Sequence, residues 1–531
     1  MNLHRLNEYV MSTVVIMIGL LIAVACGKLT ASGEQRLLAI IVAGCIAVTG
    51  VLVLRNRIWI LIPMGWMLIG TCDTLPLPFR VVDFIVIYVT GAFMVLTAVR
   101  VVRTRAAFDS LDFWILALCL LLLFAFIRNP VGTHATGSEM VGGRPYFNAF
   151  IGFLAYLVLR RAPINSFYAR QLPFYGLAAA AIVSMASATG TYFPNIGSHL
   201  AQYYSGFAPP DLTNSLMDDN SLHRGTGLSA IGSAGMLFLT SYCTPITLFI
   251  PVYPVRCLGA MLFSTANLLS GFRISVLGSF ANILIVSWVR RRYKDILIIS
   301  AVSFGIIGFL SLGIVPLPLS AQRALSFFPG AWKREAVDDA ESSTQWRIDM
   351  WKMILSEDKW IKNKWLGDGF GFSTYDLSIM ESMAEGGAGF AGGSVQEGFM
   401  IVGAYHSGPL STIRYVGYVG LAVFFAFIVV SSVKVYRLIN RTQGTKLFPV
   451  TLFIGLPILI KPLFFVFVFG AFDSDLPEAF FCAGMIRLLE RAVEEYARDT
   501  RVEQNLAAPL TSPARVTAKS PRAALTNSAR R

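Results

Sequence analysis

The chain has 531 residues, of which 55% are hydrophobic and only 14% are charged. A soluble domain carries about 25% charged residues, so a single soluble core is excluded. The formal net charge is +13, but the basic residues lie in short segments between long apolar blocks, so we expect a membrane and no nucleic acid as partner.

Apolar blocks of about 20 residues recur along the chain, and this length crosses the ~30 Å of hydrocarbon in a bilayer. The predicted spans are 9–26, 37–54, 58–76, 81–99, 111–127, 146–160, 173–190, 226–242, 245–268, 272–289, 295–315, 412–433, 447–471 and 475–490. The predicted fold is therefore all-α, a polytopic membrane protein of about fourteen transmembrane helices.

The basic clusters between spans give the chain an orientation. They follow the second, fourth, sixth, tenth and twelfth spans, which all end on one side. The positive-inside rule makes that side the cytoplasm, with both termini cytoplasmic. The predicted regions are spans 1–11 in 1–315 with an outer loop near 191–225, a partly helical extracytoplasmic loop at 316–411, spans 12–14 in 412–490, and a basic disordered tail at 491–531.

The seven cysteines lie in or beside apolar spans, and no Cys-x-x-Cys pair occurs. This distribution is typical of small packing residues, so we predict neither a metal site nor a disulfide framework.

Two arginines adjoin the predicted outer ends of spans. Arg273 follows a Ser-Gly turn at the start of the tenth span, and Arg224 precedes the eighth span beside two glycines. A guanidinium near bilayer depth faces a wet cavity or an anion, so both are candidate anion ligands. The alternatives are an arginine that snorkels to lipid headgroups and an ordinary turn at a helix start.

A third arginine, Arg347, lies in a tryptophan-rich stretch of the large outer loop. Ser343 or Thr344 is predicted to cap a short amphipathic helix there, with Trp346, Met350 and Ile354 on its apolar face. Arg347 and Trp351 then lie one turn apart on the next stripe of the helix. A solvated arginine is the alternative to an anion ligand.

His406 lies just before the twelfth span. Histidine is the side chain best suited to accept a proton near neutral pH, which makes it a candidate general base. The alternative is a hydrogen-bonded histidine at the membrane interface.

Three glycines alternate in the motif Gly367-Asp368-Gly369-Phe370-Gly371. No strand–helix unit surrounds them, so a nucleotide-binding fingerprint is excluded. We predict a flexible turn that lets the backbone approach a ligand.

The order of these features resembles the O-antigen ligase and O-antigen polymerase superfamily of bacterial membrane glycosyltransferases. Members show an arginine-glycine pair before a span, a Ser-x-x-Arg turn, an Arg-x-x-x-Trp helix, a glycine-rich turn, and a histidine before a Gly-x-x-Gly span. This chain has each feature in that order between about 220 and 425. Members often have His-Asn where this chain has His406-Ser407, so Ser407 would replace the amide as the orienting group.

The resemblance implies a donor glycan on undecaprenyl pyrophosphate at the outer leaflet of a bacterial inner membrane. The implied site residues are His406 as general base, Arg273, Arg347 and Arg224 as pyrophosphate ligands, and Ser407, Gly367, Gly369, Gly371 and Trp351 in support. Neither a metal nor a nucleotide cofactor is expected, because the donor carries its own leaving group and arginines can stabilise the charge that develops on it.

Superfamily members divide by acceptor. We favour a polymerase that joins lipid-linked repeats for O-antigen or exopolysaccharide, because the loop at 191–225 could hold an acceptor glycan. A ligase that transfers the glycan to lipid A core or to protein is the first alternative, and a flippase or other transporter of lipid-linked glycans is the second. Candidate charges gathered at one outer face favour surface chemistry over alternating access. The expected partners are the donor, a glycan or lipid A core acceptor, membrane lipid and a chain-length regulator.

Overall fold

Helices make up nearly all the regular structure of the chain. The structure is a computed structural model that describes residues 35–68, 70–72, 79–102, 107–132, 140–209, 225–373, 378 and 399–507. Its first helices are α1 (Gln35–Leu54), α2 (Leu61–Met67), α3 (Val81–Ala98), α4 (Ser110–Arg128), α5 (Arg144–Arg161), α6 (Ser166–Ala169), α7 (Leu172–Tyr192), α8 (Pro194–Ala201), α9 (Thr226–Tyr242) and α10 (Pro254–Leu269). The others are α11 (Arg273–Val289), α12 (Tyr293–Ser311), α13 (Leu319–Leu325), α14 (Arg334–Ser356), α15 (Gly408–Thr442), α16 (Phe448–Phe467) and α17 (Phe472–Ala507).

Short elements connect some of these helices. 3-10 helices cover Arg55–Ile60, Ser205–Phe207 and Pro245–Leu248. Two antiparallel strand pairs, of two residues per strand, join β1 (Thr71–Cys72) to β2 (Phe79–Arg80) and β3 (Met140–Val141) to β4 (Phe372–Ser373). The predicted helical class is therefore confirmed.

Seven helical segments in the described residues are long and apolar enough to cross a membrane. They are Ala47–Met67, Val81–Ala98, Ser110–Arg128, Ser166–Tyr192, Tyr293–Ser311, Gly408–Thr442 and Phe448–Phe467. Each segment has at least 18 residues and so rises about 27 Å or more, close to the ~30 Å of the hydrocarbon core. The membrane class of the protein follows.

The count of fourteen spans is not confirmed. The predicted second and third spans share the single segment Ala47–Met67, and the predicted first span, 9–26, lies outside the described residues. The predicted eighth, ninth and tenth spans correspond to α9, α10 and α11, which have 17, 16 and 17 residues. A helix this short crosses the hydrocarbon layer only if it stands along the bilayer normal or if the bilayer is locally thinner.

The helix α12 is the least enclosed of the seven segments. Only 11% of its span is buried within the protein, and Leu297 and Phe304 are 74% and 55% exposed. Apolar side chains this exposed match a surrounding of lipid, because a soluble protein rarely exposes a continuous apolar surface of that size. The helix therefore stands at the periphery of the bundle.

The centre of the bundle is built on close helix packing. Gly152 of α5 lies against the backbone of Pro477 in α17, and Gly484 lies against Tyr156 and Leu159. A Cβ at Gly152 would overlap the facing backbone at 2.7 Å, and one at Gly484 would crowd Leu159 at 3.0 Å, so small residues permit this close approach. The long helix α15 then packs on α4 and α16 through a core that includes Phe424, Phe427 and Leu456.

The structure differs from the predicted tail at 491–531. The helix α17 continues to Ala507, and residues 508–531 lie outside the described residues. Leu488, Leu489 and Ala492 are buried, so an apolar stripe at helical spacing runs past the end of the predicted span. The charges of 487–495 hid this stripe from a reading by apolar blocks.

The bundle has two chemically different ends. At one end, which we call the basic end, Lys434 pairs with Asp109 and Arg160 pairs with Asp112 at 3.0 Å. Gln443, just after α15, donates to the Val289 carbonyl of α11 at 3.0 Å, so the C-termini of these helices share that end. At the other end, which we call the loop end, α13 and α14 lie beside the first residues of α11 and α15.

Candidate active site

The helix α14 organises the loop end. It runs from Arg334 to Ser356, so the predicted cap at Ser343 or Thr344 is wrong, and Thr344 lies in mid-helix with its hydroxyl donating to the Ala340 carbonyl. Stretches of Ala and Glu upstream extend the helix by propensity. Its apolar face is as predicted, because Met350 and Ile354 are fully buried.

Three arginines from three elements meet beside this helix. Arg273 begins α11, Arg347 lies on α14, and Arg323 lies on α13; the charges of Arg323 and Arg347 both act on Arg273. Arg273 also approaches Thr344, with its Nη1 at 3.4 Å from the hydroxyl. The structure therefore brings together two of the arginines named from the sequence and adds a third. We call these three residues and Asp339 the arginine cluster.

Only part of the positive charge in the arginine cluster is neutralised. Arg323 forms an ion pair with Asp339, whereas Arg273 and Arg347 form none with a described residue. Nη2 of Arg273 and Nε of Arg347 are buried, and among the described residues neither has a hydrogen-bond partner. Burial and the charge of Arg323 lower the pKa of Arg347, although a guanidinium remains protonated at any physiological pH.

Arg323 is the functional candidate that the sequence did not reveal. It lies in the short segment Leu319–Leu325, between Gln322 and Ala324, and it is only 5% exposed. The available signal was a lone arginine in an apolar and alanine-rich turn, which is too common to single out. Its importance depends on a tertiary contact, because its partner Asp339 lies on another helix.

His406 packs among aromatic side chains, one of which is carried by α14. Its ring centroid is 5.7 Å from that of Trp346, the residue before Arg347, and 5.3 and 5.4 Å from those of Phe399 and Phe469. Its backbone has φ of 51°, a left-handed conformation that is uncommon outside glycine. Three aromatic rings therefore surround the imidazole, and the backbone of His406 is in a left-handed conformation.

A hydrogen bond ties the residue before His406 to α14. The indole Nε1 of Trp351 donates to the Tyr405 carbonyl at 2.7 Å. The Tyr405 side chain is fully buried, its hydroxyl donates to the Trp360 carbonyl at 3.4 Å, and burial raises its pKa to about 12. Trp351 thus holds His406 in position relative to the helix that carries Arg347.

The glycine motif forms a turn that packs on the protein itself. Gly367 and Gly369 have φ of 71° and 75°, and the amide of Gly369 donates to the Tyr415 carbonyl at 3.0 Å. Between them, Asp368 accepts from Arg414 at 2.7 Å. The backbone of this turn therefore lies directly against the backbone of α15. Gly371 is buried and adds no left-handed residue.

The same contact coincides with a break in α15. Gly417 has φ of 70° and ψ of −174° inside the helix, and the amide of Tyr418 donates to the Lys364 carbonyl at 2.9 Å. Only glycine adopts this backbone conformation readily. The break separates a segment at 408–416, which follows His406, from the long segment at 418–442.

Two predicted site residues add little to this geometry. Arg224 lies outside the described residues, although the next residue, Gly225, donates to the Ser270 carbonyl at 3.0 Å. Ser407 precedes α15, and its hydroxyl makes no capping hydrogen bond to that helix.

No family model matches this chain, and no curated protein matches its sequence. In the described residues, no group of three or more His, Cys, Asp or Glu side chains could hold a metal ion. What the site can do therefore follows from its own chemistry, which combines guanidinium N–H donors that lack a described partner with a histidine whose ring contacts Trp346 of the same helix as Arg347.

Proposed function

We propose that this chain is a membrane glycosyltransferase that polymerises undecaprenyl-pyrophosphate-linked oligosaccharide repeats at the outer leaflet. The observation that carries the proposal is the arginine cluster, in which three guanidinium groups face one carboxylate. Two positive charges therefore stay without a described counter-ion, and two of the N–H groups are buried and unpaired. Buried cationic donors of this kind bind phosphoryl oxygens strongly.

The proposed reaction transfers a glycan to an acceptor hydroxyl. The hydroxyl oxygen forms a bond to the anomeric carbon, and the bond from that carbon to the pyrophosphate oxygen breaks. His406 accepts the hydroxyl proton, and the lipid pyrophosphate leaves with the bonding electron pair. Arg273 and Arg347 stabilise the negative charge that grows on the leaving group, and Arg224 is the proposed third ligand.

The distribution of basic residues supports an outward-facing site. Basic clusters at 160–161, 290–294 and 434–446 adjoin the basic end, opposite the arginine cluster. By the positive-inside rule we propose that the basic end is cytoplasmic, in the inner membrane of a bacterium, with about fourteen crossings and both termini inside. The donor lipid would then reach the site from the outer leaflet.

A transporter of the same lipid would need its cations along the path across the bilayer. Here Arg273 is the first residue of α11, and Arg323 and Arg347 lie on helices outside the candidate spans. This placement at one end of the bundle favours chemistry at a surface.

The test is conversion of a defined donor by the purified chain in proteoliposomes. Vesicles would carry polyprenyl-pyrophosphate-linked oligosaccharide repeats, and products would be resolved by gel electrophoresis and mass spectrometry. Lipid-linked chains of two or more repeats support the polymerase. Product that forms only when lipid A core is added identifies a ligase, and movement of unchanged donor between leaflets identifies a flippase; either result refutes the polymerase.

A further inference from the structure

The ion pair between Arg323 and Asp339 is the part of the arginine cluster for which the proposed function gives no role. Nε of Arg323 donates to Oδ2 of Asp339, and Nη1 donates to the Gly271 carbonyl at 2.8 Å. Arg323 is 5% exposed, and Asp339 is 17% exposed at its side chain. This guanidinium is therefore occupied on two of its edges by the protein.

These two contacts join the elements that carry the other arginines. Gly271 has φ of 73° and forms the tight turn between α10 and α11, two residues before Arg273. Asp339 lies on α14, eight residues or just over two turns before Arg347. One side chain thus bridges the turn that presents Arg273 and the helix that presents Arg347.

The bridge itself stands on a fixed base. Nε2 of Gln322 donates to the Leu317 carbonyl at 2.7 Å, and the amide of Lys333 donates to Oε1 of Gln322 at 2.8 Å. Through Gln322, these hydrogen bonds join the residue pair before α13 to the last residue before α14. The position of Arg323 is therefore set by its own segment and not by the ligand.

The charges also divide in a way that suits the proposed donor. Asp339 neutralises Arg323, so the cluster retains the charges of Arg273 and Arg347. A pyrophosphate esterified by a lipid on one phosphorus and by a sugar on the other carries two acidic oxygens. Two cations against two anionic oxygens need no further counter-ion.

We infer that Arg323 and Asp339 are positioning residues, which hold Arg273 and Arg347 at the spacing of one diphosphate without binding it themselves. The inference rests on the proposed function for the identity of the ligand. The planar fork of arginine serves both contacts at once, which the single ammonium of lysine does not.

The kinetic test uses Arg323→Lys and Asp339→Asn in the proteoliposome assay. We expect kcat/KM for the polyprenyl-pyrophosphate donor to fall by about 10- to 100-fold, because small misplacements of binding groups have effects of this size. The matched controls are Arg334→Lys and Asp338→Asn, an exposed pair on the same helix at 3.9 Å. Values for Arg323→Lys and Asp339→Asn equal to those of the controls overturn the inference.

A distance measurement tests the same inference without activity. Spin labels at Leu269 and Gln345, both exposed and on opposite sides of the bridge, would report the spacing of the α10–α11 turn and α14 in a chain whose native cysteines are replaced. We expect a narrow distance distribution that broadens with Asp339→Asn and stays narrow with Asp338→Asn. A distribution that Asp339→Asn leaves unchanged overturns the positioning role.

The two readouts separate the two proposals. If the unaltered chain makes no product and Asp339→Asn broadens the distance distribution, the proposed function is refuted. The positioning role of Arg323 and Asp339 is then still supported. If the unaltered chain makes product and Asp339→Asn behaves as Asp338→Asn in both assays, only the positioning role of Arg323 and Asp339 is refuted.

Discussion

Two groups of charges in this largely apolar chain differ in how they are paired. In the first, Nζ of Lys461 in α16 lies 2.7 Å from Asp475 and 2.7 Å from Glu478 of α17, and Asp475 also accepts from the Ala471 amide at 3.0 Å. In the second, the arginine cluster, Asp339 is the one carboxylate for three guanidinium groups. The charge of Lys461 is therefore neutralised by two carboxylates of the protein, whereas Arg273 and Arg347 have no ion pair with a described residue.

The difference distinguishes charges that the protein itself neutralises from charges that have no counter-ion among the described residues. A paired group near the membrane interior joins two helices, and its removal is felt by the fold. An unpaired buried cation costs stability, so its removal is not expected to weaken the fold. The tests below set one group against the other.

The largest expected effect is on stability, from Lys461→Met. The substitution leaves two carboxylates without their counter-ion, which we expect to cost about 3–5 kcal/mol and to lower the melting temperature in detergent. Thermal unfolding followed by circular dichroism measures this. Adding Asp475→Asn and Glu478→Gln to the same chain should recover most of the loss; no recovery would mean that the charges are not paired as described.

Replacing His406 by Gln should remove most of the transferase activity. It should change the melting temperature little. Glutamine accepts a hydrogen bond but not a proton, so loss of the proposed base should lower kcat by about 10²- to 10⁴-fold. The donor-conversion assay measures the rate, and His199→Gln, at a histidine on α8, is the control. An active His406→Gln chain would remove this residue from the proposed mechanism.

The unpaired arginines are expected to behave oppositely to Lys461. For Arg273→Ala and Arg347→Ala we expect kcat to fall by about 10²- to 10³-fold, the usual effect of losing one donor to a developing anion. The melting temperature should stay the same or rise, because the substitution removes a partly buried cation that has no carboxylate counter-ion among the described residues. Arg334→Ala, at an arginine 93% exposed on α14, is the control for both measurements. A strong loss of stability in Arg347→Ala would place this residue with Lys461 as a structural charge.

The smallest effect is expected from Trp351→Phe. The change removes the hydrogen bond from Nε1 to the Tyr405 carbonyl and keeps most of the apolar packing, so we expect a loss of about 0.5–1.5 kcal/mol in stability. Turnover should fall several-fold because His406 loses its anchor to α14. Trp365→Phe, at an exposed tryptophan, should leave both quantities unchanged.

The parts of the molecule that could be predicted are those that depend on local composition. Apolar blocks predicted a helical membrane protein, and helical spacing predicted the buried face of Met350 and Ile354. The span count was less accessible, since α9, α10 and α11 are short and the charges of α17 concealed its apolar stripe.

The site depends on contacts between distant segments, which local patterns do not contain. Arg273 was identified by its place at the predicted start of a span, and Arg347 by its place on a predicted amphipathic helix. Arg323 was missed because its partners, Asp339 and Gly271, belong to other elements. The contact between the glycine turn at 367–371 and α15 could not be predicted either, because nothing local shows that α15 breaks at Gly417.

The sparse packing of α12 has a mechanical consequence. Nineteen residues rise about 28 Å, close to the thickness of the hydrocarbon layer. With only 11% of its span enclosed by protein, few contacts with neighbouring helices restrain the tilt of this helix. Seven residues separate its end from α13, which carries Arg323. We therefore expect a change in bilayer thickness to alter the tilt of this helix more than that of the enclosed helices.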